Sequence, residues 1–231
     1  MLSVNRISII TKYKLLMVQN VIIADDHSMV RKGIKLLLTN RIGCRNVSEA
    51  DSCNGLMNEL KKGGCTHLIL DVIFSDGTSL EVVPIIRRLY PDVKMMIFSM
   101  QPAAIYAEVF RQYDIHYYLP KSSGEEDTVN CITRFLNNEF QPRTSQNPSS
   151  SGNPFSHLAP RELEILHYLL NGSKTNDIAK TLNLSDSTVS TFKKRIFEKT
   201  GATSLAQLFE LASLNNLSFY ANNPKNKDGF E

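Results

Sequence analysis

The chain has 231 residues, of which 42% are hydrophobic, and a formal net charge of +3 at pH 7. This length holds one large domain or two modest ones, and so small a net charge excludes an argument for nucleic-acid binding from bulk charge alone. The four cysteines form no C-x-x-C pair, which argues against a zinc site or a secreted disulfide framework. The apolar run at residues 7–10 is too short for a membrane span, so we expect a soluble, cytoplasmic protein.

Short apolar runs alternate with segments of helical periodicity between residues 17 and 140. The predicted strands are 21–24, 46–50, 67–74, 93–99 and 116–119. The intervening segments carry apolar residues three or four positions apart, as at Leu80, Val83 and Ile86. Five strands alternating with five helices predict an α/β fold, a doubly wound parallel sheet with the strand order 2-1-3-4-5.

Composition sets the predicted domain limits. The first domain is predicted to span residues 17–140, and residues 1–16 before it are predicted to be an N-terminal extension. Pro, Ser, Asn and Gly dominate residues 141–156, which predicts a linker. Residues 157–213 carry four helical segments and predict a small all-α domain, and the polar residues 214–231 predict a frayed tail.

Polar residues follow the predicted strands at the ends where ligand chemistry gathers in open α/β sheets. Asp25 and Asp26 follow the first strand, and Asp71 interrupts the third. Ser99 ends the fourth strand and Lys121 follows the fifth. Carboxylates brought together repel one another unless a cation lies among them, and hard oxygen ligands suit Mg²⁺. A carboxylate can also act as a nucleophile and form an aspartyl phosphate. The plainer alternative is that the acids cap turns and that the lysine is solvated.

Residues 17–140 resemble the receiver domain of bacterial two-component response regulators, through these same five polar positions. The resemblance implies that Asp71 accepts a phosphoryl group from a sensor histidine kinase, and that Ser99 and Lys121 contact that group. It also implies an Mg²⁺ site, for which the predicted ligands are Asp25, Asp26, Asp71 and the backbone carbonyl of Ile73.

The same resemblance assigns a conformational switch to Ser99 and Tyr118. The neighbouring Tyr117 leaves open the alternative that an aromatic residue there simply packs. The chain also departs from the family pattern. Phe74-Ser75-Asp76 stands where Met-Pro-Gly is usual, and Pro120 precedes Lys121 where a proline often follows the lysine.

The third helix of the second domain, residues 186–199, is basic. Small polar residues near its start and cations further along suit insertion into the major groove of DNA, although a solvated basic face has the same composition.

Residues 158–213 resemble the LuxR-type helix-turn-helix of the NarL and FixJ class. The matching positions include Pro160-Arg161-Glu162, Gly172, Ile178-Ala179, Thr188-Val189 and Lys199. The resemblance implies that Ser190, Thr191 and Lys194 face the bases of double-stranded promoter DNA and that Lys199 contacts a phosphate. It further implies RNA polymerase as a partner and a homodimer formed partly through the last helix.

Together these features predict a regulator of transcription whose DNA binding is controlled by phosphorylation at Asp71, and not an enzyme. Two alternatives remain. One is an Mg²⁺-dependent phosphatase with an aspartate nucleophile, although such enzymes carry D-x-D and here Ile73 occupies the place of the second acid. The other is a DNA-binding regulator that works without phosphorylation.

Overall fold

The computed structural model describes residues 19–139 and 153–217. The chain divides into two compact units. The predicted N-terminal extension, most of the predicted linker and most of the predicted tail lie outside the described residues. No helix within the described ranges is both long and apolar enough to cross a membrane.

The first unit contains a five-stranded parallel sheet. Its strands are β1 (Asn20–Ala24), β2 (Asn46–Ala50), β3 (His67–Leu70), β4 (Lys94–Ser99) and β5 (Tyr117–Pro120). They are arranged in the order 2-1-3-4-5, and each neighbouring pair is parallel. The predicted architecture is therefore confirmed.

Five helices connect and cover these strands. They are α1 (Ser28–Leu36, continued by a π-helical segment at Leu37–Ile42), α2 (Cys53–Lys61), α3 (Ser79–Leu89), α4 (Ala103–Arg111) and α5 (Glu125–Leu136). The apolar spacing that predicts α1 corresponds to its inner face, where Ile34 and Leu38 are buried. These side chains pack in one core cluster with Ile69 of the central strand and Phe135 of α5.

The predicted third strand, 67–74, is wrong as a single element. β3 ends at Leu70, and Ile73–Phe74 instead pairs antiparallel with Gly77–Thr78 in a short hairpin. An apolar run reports burial but not the direction of the chain, and every residue from 67 to 74 is buried. The turn residues Ser75 and Asp76 let the chain reverse immediately afterwards.

The described residues 153–217 form four helices, as predicted. They are α6 (Pro160–Leu170), α7 (Thr175–Thr181), α8 (Asp186–Thr200) and α9 (Leu205–Leu214). Ser185 caps α8 by accepting a hydrogen bond from the Thr188 amide at 3.1 Å, and Gly201 ends the helix with φ +72°. The last four residues of the predicted linker, 153–156, belong to a turn that buries the side chain of Phe155.

Two buried histidines, one in each unit, predict a loss of stability in acid. Burial lowers the pKa of His67, and likewise that of His167, from 6.5 to about 4. The folded state therefore favours neutral imidazoles, so stability is complete above pH 6.5 and is lost as the pH falls towards 4. The corresponding loss is on the order of 3 kcal/mol for each histidine.

Thermal unfolding of the chain between pH 7 and pH 4 measures this effect. We expect His67→Phe and His167→Phe each to flatten the pH profile. Identical slopes for the wild type and both buried-site variants would contradict the prediction.

Candidate functional site

The register of the central strands brings the predicted acids together. Leu70 of β3 lies beside Ala24 of β1, and the amide of Asp71 donates to the Ala24 carbonyl at 2.9 Å. Asp25 and Asp71 therefore leave adjacent strands at the same edge of the sheet. Both carboxylates are almost completely buried.

Lys121 bridges these two acids. Its ammonium lies 2.6 Å from a carboxylate oxygen of Asp25 and 2.6 Å from one of Asp71. The lysine follows β5, and its amide donates to the carbonyl of Ser99 at the end of β4. The sheet thus brings the strand-end residues of β1, β3, β4 and β5 to one site, as their positions in the sequence predicted.

The acidic groups lie close enough together to hold a divalent cation. Ligand atoms of Asp25, Asp26, Asp71 and His27 lie within 4.8 Å of one another. The ammonium of Lys121 balances only part of the charge of three carboxylates. Since the carboxylates supply hard oxygen ligands, these residues fit Mg²⁺. The predicted role of the Ile73 carbonyl in holding this ion stays a prediction.

The protonation of Asp71 is set by opposing influences. Burial raises the pKa of Asp71 above its ordinary value and the nearby charge of Asp25 raises it further, whereas Lys121 and a hydrogen bond with Ser99 lower it. A divalent cation would also favour the carboxylate, because positive charge stabilises the ionised form. Cation binding and ionisation of Asp71 therefore support each other.

Ser99 and Tyr118 are connected through one short segment. The buried Ser99 hydroxyl accepts a hydrogen bond from the Gln101 amide at 3.2 Å, and the Tyr118 hydroxyl donates to the Gln101 carbonyl at 2.8 Å. Tyr117 instead packs edge-to-face against Phe135, with ring centroids 5.3 Å apart. Neighbouring residues of a strand point to opposite faces, so only Tyr118 reaches the segment beside Ser99.

Three contacts at this edge were not anticipated from the sequence. Nδ1 of His27 lies 2.8 Å from a carboxylate oxygen of Asp26, and Arg31 donates to the backbone carbonyl of Asp25 at 2.5 Å. Asp76, in the hairpin after the acceptor, binds the first amides of α2. The sequence did carry a sign of the third contact, because Asp76 stands where the family usually has glycine.

The residues predicted to read DNA lie on α8. Ser190, Thr191 and Lys194 are exposed, and Ser190 and Lys194 line a groove of about 510 Å³. The Thr191 hydroxyl donates to the Ser187 carbonyl within the helix at 2.9 Å. Lys194 lies 3.7 Å from Glu198, a solvent-exposed pairing that contributes little stability. These side chains are therefore accessible to a ligand.

Lys199, predicted at a phosphate, already has partners. Its ammonium donates to the buried carboxylate of Glu162 at 2.7 Å and to the His157 carbonyl at 3.3 Å. Glu162 also accepts from the Ala159 amide at 2.7 Å and thereby caps the start of α6. Lys199 therefore connects the end of α8 to the start of α6, and its predicted contact with a DNA phosphate stays a prediction.

The last helix, α9, has a partly exposed apolar surface. Leu208 and Ala212 are buried, whereas Leu214 is 73% exposed and Leu205 is 36% exposed. The homodimer that the resemblance predicts through this helix stays a prediction.

The fold and the acidic site at the edge of the sheet identify the class of protein to which the chain belongs. The model of the response regulator receiver domain family matches residues 21–133, and the model of the bacterial regulatory proteins of the luxR family matches residues 156–212. The chain therefore belongs to the response regulators of the NarL and FixJ type, which join a receiver domain to a LuxR-type DNA-binding domain.

Individual relatives agree with this class. The chain is 30% identical over 204 residues to the response regulator GacA of Pseudomonas aeruginosa, a match that covers 83% of this chain and 94% of GacA. It is 28% identical over 202 residues to UvrY of Escherichia coli, covering 84% and 93% of the two chains.

Solved structures of a further relative show the same architecture. RcsB of Salmonella enterica serovar Typhimurium, bound to the rprA promoter with the phosphomimetic BeF3-, aligns with a TM-score of 0.72 at 27% identity, covering 84% of this chain and 98% of RcsB. RcsB bound to the P1flhDC promoter aligns with a TM-score of 0.72 at 28% identity, covering 87% and 98%.

Proposed function

We propose that the chain is a transcription regulator in which phosphorylation of Asp71 controls binding of the LuxR-type domain to promoter DNA. The observation that carries this proposal is the bridge from Lys121 to both Asp25 and Asp71 at 2.6 Å, inside a cluster of acids at the carboxyl end of the sheet. A solvated lysine or a simple turn cap would not place three ionic groups in contact at a buried site.

The acceptor chemistry follows from the contacts of Asp71. A carboxylate oxygen attacks the phosphorus atom of the donor, and the bond from phosphorus to the donor histidine nitrogen of the kinase breaks. Lys121 balances the charge that develops on the phosphoryl oxygens, and the hydroxyl of Ser99 donates to one of them. Mg²⁺, held by Asp25, Asp26, Asp71 and the Ile73 carbonyl, would neutralise the remaining charge.

The link between phosphate and output begins at Ser99. If its hydroxyl turns to a phosphoryl oxygen, the Gln101 amide loses its acceptor, which perturbs the segment to which Tyr118 is bonded. Ser99 and Tyr118 thus share a connection that phosphorylation can change, and this supports their role as the switch.

The proposed function also names the partners of the chain and the compartment in which it acts. A sensor histidine kinase donates the phosphoryl group, a second copy of the chain binds partly through α9, and RNA polymerase is recruited or blocked at the promoter. These events place the protein with the DNA in the cytoplasm. The chain acts as a regulator rather than an enzyme, because the group that it accepts stays on its own side chain until it is hydrolysed.

One experiment separates the proposal from its alternatives. The chain is incubated with acetyl phosphate and Mg²⁺, its intact mass is measured, and its binding to DNA selected from a random pool is titrated, with Asp71→Ala as control. We expect one added phosphoryl group and tighter binding for the wild type alone. Equal binding with and without the donor would favour phosphorylation-independent regulation. In a parallel assay with an added phosphomonoester, repeated hydrolysis would indicate a phosphatase.

The DNA-reading surface gives a separate prediction. Lys194→Ala should weaken binding to selected DNA by about 1–3 kcal/mol at fixed salt, because Lys194 is exposed at a position proposed to contact bases. Lys32→Ala, at an exposed position of α1, removes the same charge as a control and should bind as tightly as the wild type. A salt-controlled titration in which Lys194→Ala binds as tightly as the wild type would contradict this placement.

A further inference from the structure

The hairpin that follows the acceptor is too short to hold its own shape. It contains two residue pairs, Ile73 with Thr78 and Phe74 with Gly77. Even a longer isolated hairpin is only marginally stable in water, so this one needs anchors elsewhere in the fold. Phe74 supplies one anchor, since its side chain is 1% exposed.

Asp76 at the tip of the hairpin supplies a second anchor. One oxygen of its carboxylate accepts a hydrogen bond from the Cys53 amide at 2.8 Å, and the other accepts from the Asn54 amide at 3.1 Å. These are the first two amides of α2, which no helical carbonyl can satisfy. A carboxylate at a helix N-terminus is further stabilised by the helix dipole.

α2 therefore receives caps from two separate sources. Ser52, directly before the helix, accepts from the Gly55 amide at 3.0 Å, whereas Asp76 reaches the helix from the hairpin. The Asp76 contact ties α2 to the segment that begins two residues after Asp71, and the Cys53 thiol, which donates to the Thr78 carbonyl at 3.8 Å, ties the same end of α2 to the hairpin. The family usually has glycine at this place, and glycine has no side chain that could make the bond.

From this geometry we infer that Asp76 is a positioning residue: by binding α2 it fixes the hairpin, and so holds the Ile73 carbonyl at the proposed Mg²⁺ site. The inference rests on the proposed function for the identity of the ion. Partners beyond the direct ligands of a metal commonly tune its affinity, because a displaced ligand binds less well.

Calorimetric titration of the full chain with Mg²⁺ tests this role. Asp76→Ala should raise the Mg²⁺ dissociation constant by about tenfold. Ser52→Ala removes the other cap of the same helix and should lower thermal stability similarly, yet leave Mg²⁺ affinity unchanged. Asp76→Asn should lie between Asp76→Ala and the wild type, since an amide oxygen still accepts one of the two hydrogen bonds.

Amide hydrogen exchange gives a readout that does not depend on the metal. Exchange at residues 72–79 should accelerate in Asp76→Ala but not in Ser52→Ala. Equal Mg²⁺ affinity in the wild type and Asp76→Ala would overturn the positioning role. Equal Mg²⁺ dissociation constants for Asp76→Asn and Asp76→Ala would assign the effect to the charge of Asp76 alone, and this result would also overturn the positioning role. A wild type that binds no Mg²⁺ would instead reject the metal site of the proposed function.

Discussion

Asp71→Asn should reduce labelling by a small phosphodonor to background. The amide group of the substituted side chain would occupy nearly the same space as the carboxylate, but a neutral amide is a poor nucleophile and forms no acyl phosphate under these conditions. Intact mass after incubation with acetyl phosphate and Mg²⁺ measures the result directly.

A matched control for this change is available at the end of another strand of the same sheet. Asp51 follows β2 as Asp71 follows β3, but its side chain is exposed and lies outside the cluster of acids. Asp51→Asn should be labelled as fully as the wild type. If Asp71→Asn were still labelled and the modification mapped to another aspartate, that aspartate would be the acceptor and the assignment of Asp71 would be wrong.

Lys121→Met should destabilise the first unit by about 3–5 kcal/mol at pH 8 without divalent cations, since removal of one partner leaves buried charge uncompensated. The lysine side chain is 6% exposed and contacts carboxylates that are 3% and 5% exposed, so water cannot replace it fully. Denaturant unfolding gives the free energy, and acetyl phosphate labelling should fall in the same variant.

The direction in which the stability defect of Lys121→Met changes with pH shows whether unpaired carboxylate charge causes it. Loss of Lys121 removes an influence that lowers the pKa of Asp71, so this pKa rises further in the variant. A raised carboxyl pKa stabilises the fold at low pH and loses that contribution as the pH rises, so the defect should shrink near pH 5. Mg²⁺ should also reduce the defect.

The control for this variant is Lys32→Met, at an exposed position of α1. It should change the unfolding free energy by no more than about 0.5 kcal/mol. A Lys121→Met protein as stable as the wild type at pH 8 would show that the two acids do not need this ammonium.

Hydrophobic periodicity was sufficient to predict the doubly wound sheet. Apolar runs and helical stripes record which surfaces are buried, and alternating runs of this kind leave few arrangements other than a doubly wound sheet. Because parallel strands end at a common edge, the order of Asp25, Asp71, Ser99 and Lys121 along the chain was also enough to predict that they meet.

The hairpin shows where periodicity fails. Residues 67–74 are all buried, so their pattern is the same whether they form one strand or leave the sheet after Leu70 and enter a hairpin. Only contacts with α2 and the start of α3 distinguish the two, and such contacts join residues far apart in the sequence. The bonds from Cys53 and Asn54 to Asp76 are of this kind.

The sequence by itself determined the two-part architecture and the set of polar residues that gather at the sheet edge. The tertiary structure alone decided which partners those residues take: Lys121 between two acids, Lys199 on Glu162, and Asp76 on α2. Local patterns report burial and backbone preference over a few residues, whereas ion pairs and caps between distant elements depend on distances that exist only after the chain has folded.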